Sequence, residues 1–154
     1  MKQILLSSLS ILLVSTTSAI AQETTFNPSQ SVAPQLAQAS NSNNTLAAGT
    51  FVTTEQDHPT SGMATIVEED GKRYLVFNED FTTAEGPDVQ VVLHRESKVP
   101  VKLQEENYMT IAPLASMNGT QRYLLPDDLN LDEFQAVSIW CRQFNVSFGY
   151  AALN

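Results

Sequence analysis

From about Ala48 onward the apolar residues fall into strand-length runs at period two, separated by turn formers, and no stretch of ten or more keeps a helical period. A chain of this pattern buries one face of each short strand, which points to a β-sandwich or barrel. We expect an all-β fold, a small antiparallel β-sandwich over residues 48–154. The best local signal is Asp70-Gly71 between the β-rich runs Gly62–Val67 and Arg73–Phe77, a hairpin whose turn needs positive φ. Asn118-Gly119 predicts a second hairpin, between Tyr108–Leu114 and Gln121–Leu125. Val89, Val91 and Leu93 share one face of a strand that opens after Gly86-Pro87. Asp127–Phe134 fits a single helical turn or a wide loop.

The last run, Gln135–Leu153, carries the parity problem. Val137, Ile139 and Cys141 alternate on one face, and Phe144, Val146 and Phe148 follow the opposite parity. One residue of slip turns every side chain over. The chain is therefore expected to bulge near Arg142-Gln143 or to turn a corner between two sheets.

The N-terminus reads as an address. Met1-Lys2 is a minimal basic start, Ile4–Val14 a short apolar stretch, and Ala19-Ile20-Ala21 a small-x-small cleavage pattern. Together these make a secretory signal peptide over residues 1–21, with Gln22 as the mature start. The apolar run is shorter than the ~20 residues that span a bilayer. No cysteine follows it, so a lipid anchor is not expected. Residues 22–47 are rich in Ser, Asn, Gln, Thr, Ala and Pro and read as a disordered linker. The mature chain is expected to be exported, periplasmic or extracellular, without a transmembrane segment. A net charge of −9 disfavours nucleic acid and anionic lipid as partners.

Few residues offer chemistry. Cys141 is the only cysteine, so in an exported chain it is buried, reactive or intermolecular. Arg142 is adjacent, but strand neighbours point to opposite faces, so its guanidinium need not activate the thiol. His58 and His94 are the only histidines. With Cys141 and one of Met63, Met109 or Met117 they would supply the residue types of a copper site. The segment after Cys141 lacks the His and Met that a cupredoxin places there, and there is no Cys-x-x-Cys-His for covalent haem. In Gly86-Pro87-Asp88 the glycine can take positive φ, the proline fixes φ, and the aspartate can bond nearby backbone amides or serve as a binding carboxylate. Trp140 lies opposite Cys141 in parity; facing solvent it is a docking aromatic, and otherwise it covers the fold. No G-x-S-x-G, H-E-x-x-H, phosphate loop or Cys-x-x-Cys is present, so nothing points to a classical enzyme.

Gly49-Thr50-Phe51, His58 followed by Ser61–Ile66, Gly86–His94, Tyr123–Pro126 and above all Val137–Leu153 resemble the DM-thirteen domain, a small secreted or membrane-tethered module grouped with the DOMON domains. The resemblance covers nearly all of residues 48–153. It implies a compact β-sandwich and a redox or electron-transfer role, with Cys141 as the proposed reactive group. Through the DOMON relatives it also implies noncovalent haem held by Met and His as an option. Three readings follow: a redox module centred on Cys141 with an unidentified redox or surface protein partner; a noncatalytic binding module with a buried cysteine, in which His58, Asp88 and Trp140 are the candidate binding residues; and a haem or copper binder.

Overall fold

The computed structural model describes residues 44–154. The expected signal peptide and residues 22–43 of the expected linker lie outside them. Eight strands follow in order: β1 (Asn44–Thr53), β2 (Met63–Glu69), β3 (Lys72–Phe77), β4 (Val89–His94), β5 (Tyr108–Pro113), β6 (Gln121–Leu124), β7 (Ala136–Cys141) and β8 (Val146–Ala152). The first strand starts at Asn44, so residues 44–47, expected in the linker, belong to the domain. Among the described residues the helical elements are two three-residue 3-10 turns, Glu105–Asn107 and Leu131–Glu133. No helix among them is long and apolar enough to cross a membrane.

All pairings are antiparallel, in the order β5-β4-β7-β8-β1-β2-β3-β6. β1 serves both halves of this sheet. Its first part, to Thr50, pairs with β2, and Phe51–Thr53 pairs with β8. The sheet bends there, and its two halves face each other across one core, close to a closed barrel. Gly49 permits the bend: a Cβ on it would lie 2.1 Å from the Ala152 carbonyl oxygen. The β2–β3 hairpin forms as expected, with Glu69 opposite Lys72 and with Asp70 (φ 51°) and Gly71 (φ 73°) both left-handed.

Inward side chains of both halves form the core, among them Phe51, Ile66, Leu75, Phe77, Val91 and Ile139. β4 and β7 are buried on both faces. Their outer side chains Val92, Ala136 and Trp140 are covered by Val99 and Leu103 of the segment 95–107. Ser138 on this outer face is satisfied by the Ser147 hydroxyl at 2.7 Å and donates to the Gly149 carbonyl at 3.0 Å.

Two expectations need correction. β5 and β6 do not form a hairpin; they are the opposite edges of the sheet. Gly119 does turn with positive φ (77°), but its N–H donates to Phe81 O at 2.9 Å and Asn118 bridges to Thr82. The Asn118-Gly119 turn is thus bound to the segment after β3, and β6 continues along β3. The C-terminal run is neither one bulged strand nor a corner. It is a hairpin, β7 and β8 joined by Arg142–Asn145, closed by Asn145 N–H donating to Arg142 O at 3.2 Å. The bulge of this pair lies further on: Ile139 pairs with Gly149 and Trp140 with Ser147, which leaves Phe148 as the extra residue.

Candidate functional site

Cys141 ends β7, opposite Val89 of β4 and Val146 of β8. Parity with Val137 and Ile139 turns its thiol inward, into the cluster that holds Val89, Ile139 and Phe148, and the residue is 1% exposed. It is a free thiol.

The turns on either side of the sulfur are fastened to each other. Arg142 N–H donates to Asp88 O at 2.9 Å. The Arg142 guanidinium reaches the Asp88 carboxylate through Nε at 2.7 Å. Gln90 Nε2 donates to the same carboxylate at 2.6 Å. The Arg142 hydrogen bond, opposed by desolvation and supported by the bond from Gln90, holds the Asp88 carboxyl below its ordinary range. The positive charge beside Cys141 in sequence is therefore directed at Asp88, across the turns. Asp88 bonds these two side chains and not the local amides expected of it. Gly86 is required for space and not for positive φ: a Cβ on it would meet Val89 Cγ2 at 2.9 Å and Phe148 Cζ at 3.1 Å.

His58 caps the neighbouring surface. Its ring stacks on Phe148 with centroids 4.3 Å apart and planes 10° from parallel. Its Nδ1 is paired with the Glu55 carboxylate, and that hydrogen bond, against mild desolvation, lowers the Glu55 pKa. Phe148 belongs to the buried cluster of Cys141, so one aromatic ring separates a surface imidazole from the core at this end. Thr60 and Thr83, both buried, share a hydroxyl–hydroxyl bond of 2.8 Å.

Trp140 is not at the surface. It is 4% exposed, lies under the segment 95–107 against Tyr108 (centroids 4.9 Å apart), and donates from Nε1 to Asn145 Oδ1 at 2.9 Å. This excludes the docking role it would have had facing solvent. Asn145 is the residue that the sequence reading passed over. It closes the β7–β8 turn at φ 48°, accepts from Leu103 N–H at 2.9 Å and donates to Leu103 O at 3.1 Å. The signal for it was an Asn between two strand runs, the residue type other than glycine that best tolerates the left-handed region.

The residue types of the copper set are not brought together. His94 is at the far end of β4 from Val89, the partner of Cys141, about 17 Å along the strand. It faces outward, fully buried, with Nδ1 accepting from Glu96 N–H at 3.1 Å. Met63 and Met109 are exposed. Among the described residues no three His, Cys, Asp or Glu side chains converge as a metal site. A cavity of about 400 Å³, lined by Leu46, Ile66, Leu131, Asp132, Phe134 and Leu153, opens at the end of the β7–β8 pair away from Cys141.

The family model described as electron transfer DM13 matches residues 50–153, from the bend of β1 to the residue after β8. The chain belongs to the DM13 family. No curated protein and no solved structure matches it. The DM13 match includes Cys141, the Asp88–Arg142 clasp, His58 and Trp140, and its description names electron transfer as the domain's business.

Proposed function

We propose that this DM13 domain is an exported redox module whose electron-carrying group is the Cys141 thiol, shielded in the resting fold and reached by local opening of the turns above it. The observation that carries the reading is the position of the only cysteine within an electron-transfer family match. The thiol is the last residue of its strand, directly before the 142–145 turn and opposite the residue that follows Asp88. Ends of strands and the turns that join them open at lower free energy than strand centres. The clasp made by Asp88 and Arg142 spans two such turns and is exposed on the Arg142 side. Export is supported by Lys2, the Ile4–Val14 stretch and the Ala19-Ile20-Ala21 pattern.

In the opened state the thiolate sulfur attacks a peroxide oxygen. An S–O bond forms, the O–O bond breaks, two electrons leave the sulfur and the second oxygen departs as water after protonation. A partner thiol then displaces the sulfenic hydroxyl, which leaves as water, and a second partner thiol resolves the mixed disulfide and returns Cys141 to the thiol. The test treats the folded full-length mature protein with hydrogen peroxide in the presence of dimedone and reads the adduct on Cys141 by mass spectrometry. An adduct in protein that keeps its native Trp140 fluorescence is the expected result. No adduct until denaturant is added overturns it.

The burial of Cys141 favours a second reading, a noncatalytic binding domain in which the sulfur is core packing. That reading gives no adduct in the native state.

A further inference from the structure

We propose that the tip of the β7–β8 turn, together with the adjoining part of the segment 95–107, is the docking face for an acidic protein surface on the redox partner. This rests on the redox reading of Cys141 and adds to it where the partner sits and what charge it carries.

Residues 97–104 and 142–147 hold Lys98, Lys102 and Arg142 and no carboxylate, in a chain of net charge −9. The fold lays these two stretches side by side. Lys102 Nζ donates to Phe144 O at 2.9 Å, Ser147 N–H donates to Val101 O at 2.8 Å, and Asn145 bonds both backbone groups of Leu103. At the centre of the face Phe144 is 59% exposed and Val101 37%, with Pro100 also exposed beside Val101. Phe144 belongs to neither buried cluster, so its ring contributes nothing to the core. The Arg142 side chain is largely exposed although it engages Asp88, and Lys102 keeps two further donors free of its bond to Phe144. In sequence Glu96 precedes the stretch 97–104 and Glu105 and Glu106 follow it, and Asp88 pairs with Arg142 across the turns.

An isolated exposed phenylalanine is ordinary. An exposed apolar centre with Lys102 set against it and Lys98 nearby in sequence, on an acidic protein, fits a small, electrostatically steered interface, the kind that electron-transfer partners use. Its place fits: Phe144 is in the turn that directly follows Cys141, so a partner seated here presses on the elements that cover the thiol. The net negative charge disfavours both a second copy approaching with its overall field and an anionic membrane.

The test places a benzoylphenylalanine photo-crosslinker at position 144 or 101 of the full chain in its native host, with positions 52 and 124 as controls; Val52 and Leu124 are 48% and 55% exposed elsewhere. Expected is an adduct from 144 and 101 only, to a protein whose cross-linked region is acidic by mass spectrometry. Its yield should drop about tenfold or more in Lys98→Glu/Lys102→Glu, the scale of lost steering. No adduct, an adduct of twice the chain's own mass, equal yield from the control positions, or indifference to charge reversal each overturns the proposal. So does Phe144-dependent binding of the purified mature chain to phosphatidylglycerol vesicles without a protein adduct. The adduct should persist in Cys141→Ala. Persistence together with a failed dimedone test means that the face is right and the thiol reading wrong; loss of the adduct with a positive dimedone test means the reverse.

Discussion

Replacing Asn145 with alanine removes three hydrogen bonds at the junction between the Cys141 turn and the segment that covers Trp140. Trp140 Nε1–H and Leu103 N–H lose their acceptor, each at 2.9 Å, and Leu103 O loses a donor at 3.1 Å. Each such bond is worth about 1 kcal/mol net, and more where the abandoned group stays out of water, so the three sum to about 3 kcal/mol. Alanine must also hold the left-handed conformation seen at φ 48°, which adds about 1 kcal/mol. The expected loss is about 4 kcal/mol, or a fall in Tm of roughly 17 °C for a domain of this size. Urea unfolding followed by fluorescence reads it cleanly, because Trp140 is the only tryptophan. Two companions divide the sum. Asn145→Gly relieves the backbone strain and should lose only the hydrogen-bond part. Asn145→Asp keeps both acceptances at Oδ1 and should lose about 1 kcal/mol, the bond to Leu103 O. If Asn145→Ala unfolds within about 1 kcal/mol of the parent, the junction is not what holds the covering segment in place.

Four further outcomes follow from the same contacts. Arg142→Ala or Asp88→Asn should speed alkylation of Cys141 in the folded protein several-fold, while Arg95→Ala, which breaks the distant pair with Glu133, should leave it unchanged. Asp88, Glu69, Glu55 and Glu133 all have carboxyl pKa values lowered by their partners Arg142, Arg122, His58 and Arg95. The unfolded chain therefore binds more protons in acid, and stability present above about pH 4.5 should fall as pH drops through and below the ordinary carboxylate range; urea midpoints from pH 7 to pH 2.5 check it, and Asp88→Asn/Glu69→Gln should flatten the curve. Cys141→Ser sets a hydroxyl among Val89, Ile139 and Phe148 at the apolar end of the core and should cost about 1–3 kcal/mol in urea unfolding. Gly49→Ala drives a Cβ to 2.1 Å from Ala152 O, so the variant should fail to yield soluble folded protein, and a soluble variant of native Tm refutes the close crossing of β1 over β8.

What could be read in the sequence was local. Asp70-Gly71 specifies its hairpin because both residues must be left-handed, and few other pairs do this without strain. The inward parity of Val137, Ile139 and Cys141 was legible because a strand allows only two faces. Partner choice was not. Asn118-Gly119 is a good turn in either arrangement, and bonds to Phe81 and Thr82, over thirty residues away, decide that β5 and β6 part company. The turn at Arg142–Asn145 was hidden because Phe144, Val146 and Phe148 resume the apolar alternation at once in the opposite parity, a break that a bulge accounts for as well as a turn. Most of the site is of this long-range kind. Asp88 and Arg142 are 54 positions apart, and Asn145 and Leu103 are 42 apart. Neither pairing leaves a mark in spacing, so Cys141 could be singled out from the sequence but not what covers it.

The rate at which a thiol reagent labels Cys141 in native protein, measured as urea is raised towards the unfolding transition, bears most directly on whether the sulfur is reached by opening of two turns or only by loss of the whole fold. Opening of the turns exposes little surface, so the expected rate is nearly flat in urea and far above the rate of global unfolding. A rate that climbs from the first addition with the full slope of equilibrium unfolding would show a sulfur that serves only as core packing.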